Sequence, residues 1–167
     1  LLDIGVFQSQ THKLIDIYKI NYEKLKIPFE ELDYILISSG HADHCCGLGV
    51  IGRQDIDYKG RVISTELTQE LIALNTRDSA FLMNGECEAY NKKYNKELKP
   101  LYTGIDVENA ISMIEGRGYG EKIRLNDKVI TLISSLRSMV HHALNHRRRH
   151  ENCFYTVQFI FDLQCHG

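Results

Sequence analysis

An α/β fold is predicted for this chain of 167 residues, and three observations predict it. Short β-branched or aromatic runs of strand length recur along the sequence. Between them lie stretches whose apolar side chains fall three and four residues apart, the spacing of one helix face. The two kinds of segment alternate, as they do when helices cover a sheet. Composition agrees: hydrophobic residues make up 43% and charged residues 25%. That mix suits a soluble globular chain able to bury a core, and it excludes wholesale disorder. No apolar stretch approaches the roughly 20 residues of a membrane helix, which excludes a transmembrane protein. The formal net charge is −2, so any attraction to nucleic acid has to be local rather than global.

The chain begins Leu1-Leu2-Asp3 with no Met and no basic, then apolar, leader. It therefore reads as a fragment with an upstream piece missing and no secretory signal. Leu1 to Gly5 is expected to be a short buried strand ending at a glycine turn. Residues 12–25 place Leu14, Ile15, Ile17, Tyr18 and Leu25 at helical spacing, and Pro28 closes that helix. Tyr34 to Ile37 is a strand that runs straight into a small-residue loop, SSGHADHCCGLG. Leu48 to Gln54 opens a short helix, and Arg61 to Ser64 is the next strand. Thr65 or Thr68 caps a helix running through Leu71 and Leu74 toward Phe81. Thr103-Gly-Ile-Asp106 resembles a capping box whose helix runs to Glu115 and stops at Gly116. Residues 121–124 and 128–133 form a hairpin around Asn126-Asp127. After Ser134 the character changes to a basic, His-rich segment over 134–153, before strand composition returns at Phe154 to Phe161.

The five cysteines are odd in number and show no CxxC spacing. That favours a reducing, cytoplasmic compartment, with Cys45 and Cys46 as small buried residues. The residues that carry chemistry are His41, Asp43 and His44, three ligand-type side chains within four positions at the end of a strand. Imidazole nitrogen and carboxylate oxygen are donors that zinc accepts. In a bending loop His41 and the Asp43-His44 pair point to different sides, as a site with two adjacent metals requires. Gly47 and Gly49 give the backbone freedom to turn sharply there. Farther on, His142, His146 and His150 would share one face of a helix. Arg147-Arg148-Arg149 inside the same stretch makes a solvated basic segment the simpler reading, one that also suits phosphate contacts.

With its flanks, ELDYILISSGHADHCCGLG resembles the signature of metallo-β-lactamase-fold hydrolases, HxHxDH after a hydrophobic strand. LLDIGVFQ, IPFEELDYILIS, GRVISTELTQELIALNTRDSA, PLYTGIDVENAI and YGEKIRLNDKVI follow the segment order of that fold's β-CASP, RNA-processing nuclease branch. The resemblance covers roughly residues 1–133. It implies an incomplete αββα sandwich, with residues 1–167 a partial domain of that type. It also implies one or two zinc ions and phosphodiester hydrolysis of RNA or another nucleic acid. By position, His41 would ligate one metal, while Asp43 and His44 would ligate the other. Asp43 would also be catalytic, orienting the attacking water, and Asp3 would support the motif loop from behind.

Three departures weaken that site. Ser39 stands where the leading His of the signature belongs, and a hydroxyl is a poor zinc ligand. The family's downstream Gly-His segment is replaced by SSLRSMVHHALNH, where His141 or His142 would have to stand in. The bridging carboxylate falls to Asp162, without the preceding Gly. A change of reading frame after codon 133 would produce so abrupt a break. The expected outcome is partial zinc occupancy with impaired hydrolysis, the alternative being an inactive remnant or interaction module. A relative that hydrolyses thioesters or lactams is a third reading, against which the RDSA and LYTGIDV segments count.

Overall fold

Tyr34–Leu36 forms strand β1, and it pairs in parallel with β2, Arg61–Thr65, in the register Tyr34 to Arg61, Ile35 to Val62 and Leu36 to Ile63. The computed structural model describes residues 1–125 in full and the backbone of 128–131. A third strand, β3 (Ile114–Arg117), lies on the other side of β2, so the sheet order is β1-β2-β3. As the middle strand, β2 is buried on both faces, with Val62 and Ile63 fully enclosed. A parallel strand sandwiched between layers has this character. The fold is mixed α/β, as the alternation predicts.

The first helix, α1, spans Leu14–Lys24. It ends before Pro28, and a 3-10 turn at Phe29–Glu31 leads into β1. A second 3-10 turn, Leu48–Gly52, occupies the position where a short helix is predicted. Gly47 and Gly49 serve closeness there rather than a sharp turn. Gly47 has an ordinary φ of −79°, and a Cβ on Gly49 would stand 2.5 Å from the Tyr102 ring. The Tyr102 hydroxyl donates to the Cys46 carbonyl, so this ring ties the later part of the chain to the motif turn. Burial pushes that hydroxyl above its usual pKa, which keeps it a donor.

The long helix α3 runs Glu66–Tyr94, well beyond the expected end near Phe81. Thr65 caps it by accepting from the Thr68 amide at 3.2 Å. Ile72, Thr76, Ala80, Met83 and Cys87 are its buried residues, at steps of three and four. The last two of these carry the helical spacing past Phe81, through a stretch whose other side chains are exposed or only partly buried. Asn95 ends the helix in the left-handed conformation at φ 49°, a common stop signal.

Helix α4 spans Gly104–Ser112 behind a complete Thr103–Asp106 capping box. It stops short of the expected Glu115 because the following residues join the sheet. Ile114 is buried, and Glu115 takes Arg61 of β2 in a two-pronged ion pair at 2.8 and 2.6 Å.

The first residues also depart from expectation. Leu1 to Gly5 does not form a buried strand: one parallel bridge joins Leu2 to Leu36, and Leu1 and Leu2 are exposed. Asp3 has a φ of 56°, which breaks the extended path. Ile4 and Val6 beyond it are buried.

Among the described residues, 1–116 make one compact unit and the residues from Arg117 begin a second. The second contains the predicted hairpin, with β4 (Lys122–Leu125) antiparallel to β5 (Lys128–Thr131). Its register pairs Leu125 with Lys128; the predicted turn residues Asn126 and Asp127 lie outside the described residues. No helix among the described residues is long and apolar enough to cross a membrane.

Candidate metal centre

The motif leaves the carboxyl end of β1 and closes into one helical turn, α2, Ala42–Cys45. Sequence reasoning places it in a loop; the structure makes His41 the residue that opens the turn. Chain reversal at the carboxyl end of parallel strands is where α/β sheets hold ligands. The turn is pinned from behind by the first residues of the chain. The Ile4 amide donates to the His44 carbonyl at 2.8 Å, the Val6 amide to the Ala42 carbonyl at 3.1 Å, and the Gly47 amide to the Ile4 carbonyl at 2.8 Å. Gly5 lies so close that an added Cβ would stand 1.7 Å from the Asp43 carbonyl oxygen.

Asp3 gathers this region. Its carboxylate accepts the Ser38 amide and the Ser38 hydroxyl, each at 2.7 Å. It also accepts His44 Nδ1 at 2.8 Å. With its proton held on Nδ1 by a carboxylate, His44 presents Nε2 as a lone-pair donor, the usual support behind a metal-bound histidine. That Nε2 is 3.6 Å from Asp43 Oδ2. Two donors sharing a tetrahedral zinc at bonds near 2.0–2.1 Å stand about 3.3 Å apart. The Asp43–His44 pair therefore fits as two donors to one ion. Asp43 is 74% exposed and His44 32%, so the pair faces solvent while Asp3 lies behind it.

His41 is engaged elsewhere. Its Nδ1 hydrogen-bonds the Ser39 hydroxyl at 2.6 Å. It borders a groove of about 420 Å³, flanked by Ser9, Tyr18, Asp78 and Glu86, whose lining includes neither Asp43 nor His44. The groove carries two carboxylates and no lysine or arginine among its described residues. Such a lining repels a phosphate backbone rather than attracting it.

No group of three or more His, Cys, Asp or Glu placed to hold a metal occurs among the described residues. For a second ion, His41 by itself does not make a site. His141, His142 and Asp162, together with His146, His150 and the three arginines, lie outside the described residues.

Ser38 and Asn75 belong to the site, and sequence reasoning does not find them. Ser38 reads as one more small loop residue. Asn75 donates to the Gly40 carbonyl at 2.6 Å and holds the motif turn against α3. Its one signal is a polar side chain beside the core-facing Thr76. Behind the turn, Cys45 and Cys46 are both buried. Their mutual hydrogen bond, together with burial, raises the Cys45 thiol, while the same bond lowers Cys46.

No family model matches the chain, and no curated protein matches it.

Proposed function

We propose that this chain is the motif-bearing part of a metallo-hydrolase of the metallo-β-lactamase fold, β-CASP branch. Its zinc site is depleted and its hydrolysis of RNA phosphodiesters impaired. The observation that carries the reading is the line Asp3–His44–Asp43, in which a carboxylate fixes the imidazole tautomer so that Nε2 and a second carboxylate converge. Its place at the carboxyl end of a parallel strand, under an α/β arrangement compatible with an αββα sandwich, supports the same reading. The free thiols of Cys45, Cys46 and Cys87 suit the reducing cytoplasm.

In this reading Asp43 and His44 Nε2 hold one ion, with Asp3 keeping the proton on His44 Nδ1. A zinc ion so bound supplies a Lewis acid for a phosphoryl oxygen and acidifies water. Asp43, the most exposed of the three, accepts a hydrogen bond from the attacking water. A catalytic zinc site takes three protein donors, and among the described residues two converge, so turnover is slow or absent in this reading.

A non-enzymatic reading has its own support. Ser39 occupies the slot of a ligand and hydrogen-bonds His41, and the neighbouring groove is acidic. Under this reading the fold persists as an interaction module. Zinc content separates the two. Purified protein is expected to hold well under two zinc ions per chain by elemental analysis, and Ser39→His is expected to raise that figure. Cleavage of a labelled single-stranded RNA that a chelator abolishes favours the enzyme; no cleavage by the unmodified chain or by Ser39→His favours the module. Zinc content that Ser39→His leaves unchanged contradicts the assignment of that position as a ligand slot.

A further inference from the structure

Leu74, one of the apolar residues by which the sequence marks α3, does not reach the core. It is 64% exposed, Phe81 is 78% exposed and Leu82 54%. Single exposed apolar side chains are ordinary on a protein surface. These three are not scattered. Leu74 and Phe81 stand seven residues apart on α3, close to two full turns and so on one face, with Leu82 beside Phe81. The face continues to Gly85 and Ala89, which are exposed as well. It lies on the side of the helix away from the buried Ile72, Thr76 and Met83.

The relief of this face is that of a seat for another helix. The residues around a depression in it fall into two sets spaced i, i+3, i+4 and i+7: Phe81, Asn84, Gly85 and Glu88, then Leu82, Gly85, Glu86 and Ala89. Four residues so spaced form the hole that receives one knob from a packed helix. Gly85 belongs to both holes, and nothing lies within 4 Å of the place its Cβ would take. The floor is therefore open to a large side chain.

Charge selects the occupant. Glu70, Asp78, Glu86 and Glu88 are exposed on or beside the face. Arg77 among them is held by Glu108 of α4 at 2.6 and 2.7 Å, and Lys92 and Lys93 come in the last turn of α3. A second α3 laid on the first would set acidic rows against each other, whereas a basic helix complements them.

We propose that the exposed face of α3, centred on Phe81 and Gly85, docks a helix of a partner protein with an apolar stripe flanked by lysines or arginines. Phe81 packs into that stripe, as in other helix-on-groove complexes. A large apolar knob of the partner settles over Gly85, and the basic flanks meet Asp78, Glu86 and Glu88.

Fluorescence anisotropy of a labelled synthetic helix tests this on the full chain. The peptide carries leucine at heptad positions a and d and lysine at e and g; a control peptide has glutamate in place of lysine. The lysine peptide is expected to bind one to one, more weakly as salt is raised, and the glutamate peptide not at all. Phe81→Asp should lower the affinity about 30-fold, in the range for loss of an aromatic anchor. It also adds a carboxylate to an acidic face, so a merely electrostatic attraction predicts the opposite sign. Gly85→Leu, which fills the holes, should weaken binding about tenfold with a urea midpoint no lower than that of the unmodified chain. Ile105→Asp, at an exposed apolar position on α4, should leave binding unchanged. Equal affinity for the two peptides, or a Phe81→Asp chain that binds as well as the unmodified one, overturns the proposal. So does a dimer of the chain, seen by sedimentation, that Phe81→Asp dissociates, since a second copy would then be the occupant.

Discussion

Replacing Gly5 with alanine is expected to destabilise the fold by about 3 kcal/mol, the upper end of what overpacking costs. The new Cβ would stand 1.7 Å from the Asp43 carbonyl oxygen, 1.9 Å from the Asp43 carbonyl carbon and 2.6 Å from the His44 amide nitrogen. All three are backbone atoms of a turn held by its own hydrogen bonds, so no side chain can swing aside. The strain falls on the contacts that join residues 3–6 to the motif, including the Ile4 amide to the His44 carbonyl. Separating the two segments also withdraws Asp3 from His44. Gly85 is the internal control. It lies mid-helix in α3 with nothing within 4 Å of an added Cβ, so Gly85→Ala should stabilise by roughly 0.5–1 kcal/mol. Urea unfolding of the three proteins checks both signs at once. An unfolding midpoint for Gly5→Ala equal to that of the unmodified chain contradicts the close approach.

The second large effect is expected at Asp3. Asp3→Asn should lower zinc affinity about 10- to 100-fold, the usual loss when the partner behind a metal-bound histidine is removed. The substitution is chosen to spare the backbone, since Asn tolerates the left-handed region at φ 56° nearly as well as Asp. What changes is the proton. An amide nitrogen placed toward His44 Nδ1 donates to it and moves the imidazole proton to Nε2, where no metal can then bind. Asp3→Ala is expected to damage the fold as well, because the buried side of Ser38 and His44 loses its acceptor. Zinc titration run alongside urea unfolding distinguishes the two variants. Unchanged zinc affinity in a stably folded Asp3→Asn would mean that Asp3 does not set the tautomer.

Legibility in the sequence followed the range of the interactions. Strands β1 and β2, the capping box at Thr103 and the hairpin β4–β5 are set by runs of a few neighbouring residues, and local chemistry identifies them. The ends of α3 and α4 are not local decisions. α3 continues through NGECEAYNKKY because Met83 and Cys87 still reach the core. α4 stops at Ser112 because Ile114 and Glu115 find partners on β2. The opening residues mislead for a different reason. LLDIG has strand composition, but Asp3 turns out of the extended path so that its carboxylate can meet Ser38 and His44. Residues 35 and 41 positions away decide that conformation, and no window of neighbouring residues contains them. The same limit applies to the site. The ligand types in HADH are visible as chemistry, whereas the separation of His41 from the Asp43–His44 pair follows from a turn of four residues and from Ser39 holding His41 Nδ1.

Zinc binding measured by equilibrium dialysis on the unmodified chain and on His44→Ala tests the central claim most directly. The account predicts partial zinc occupancy in the unmodified chain and its loss in His44→Ala. Equal zinc in the two chains would contradict it, because the ion would then be held by residues other than the imidazole that Asp3 orients.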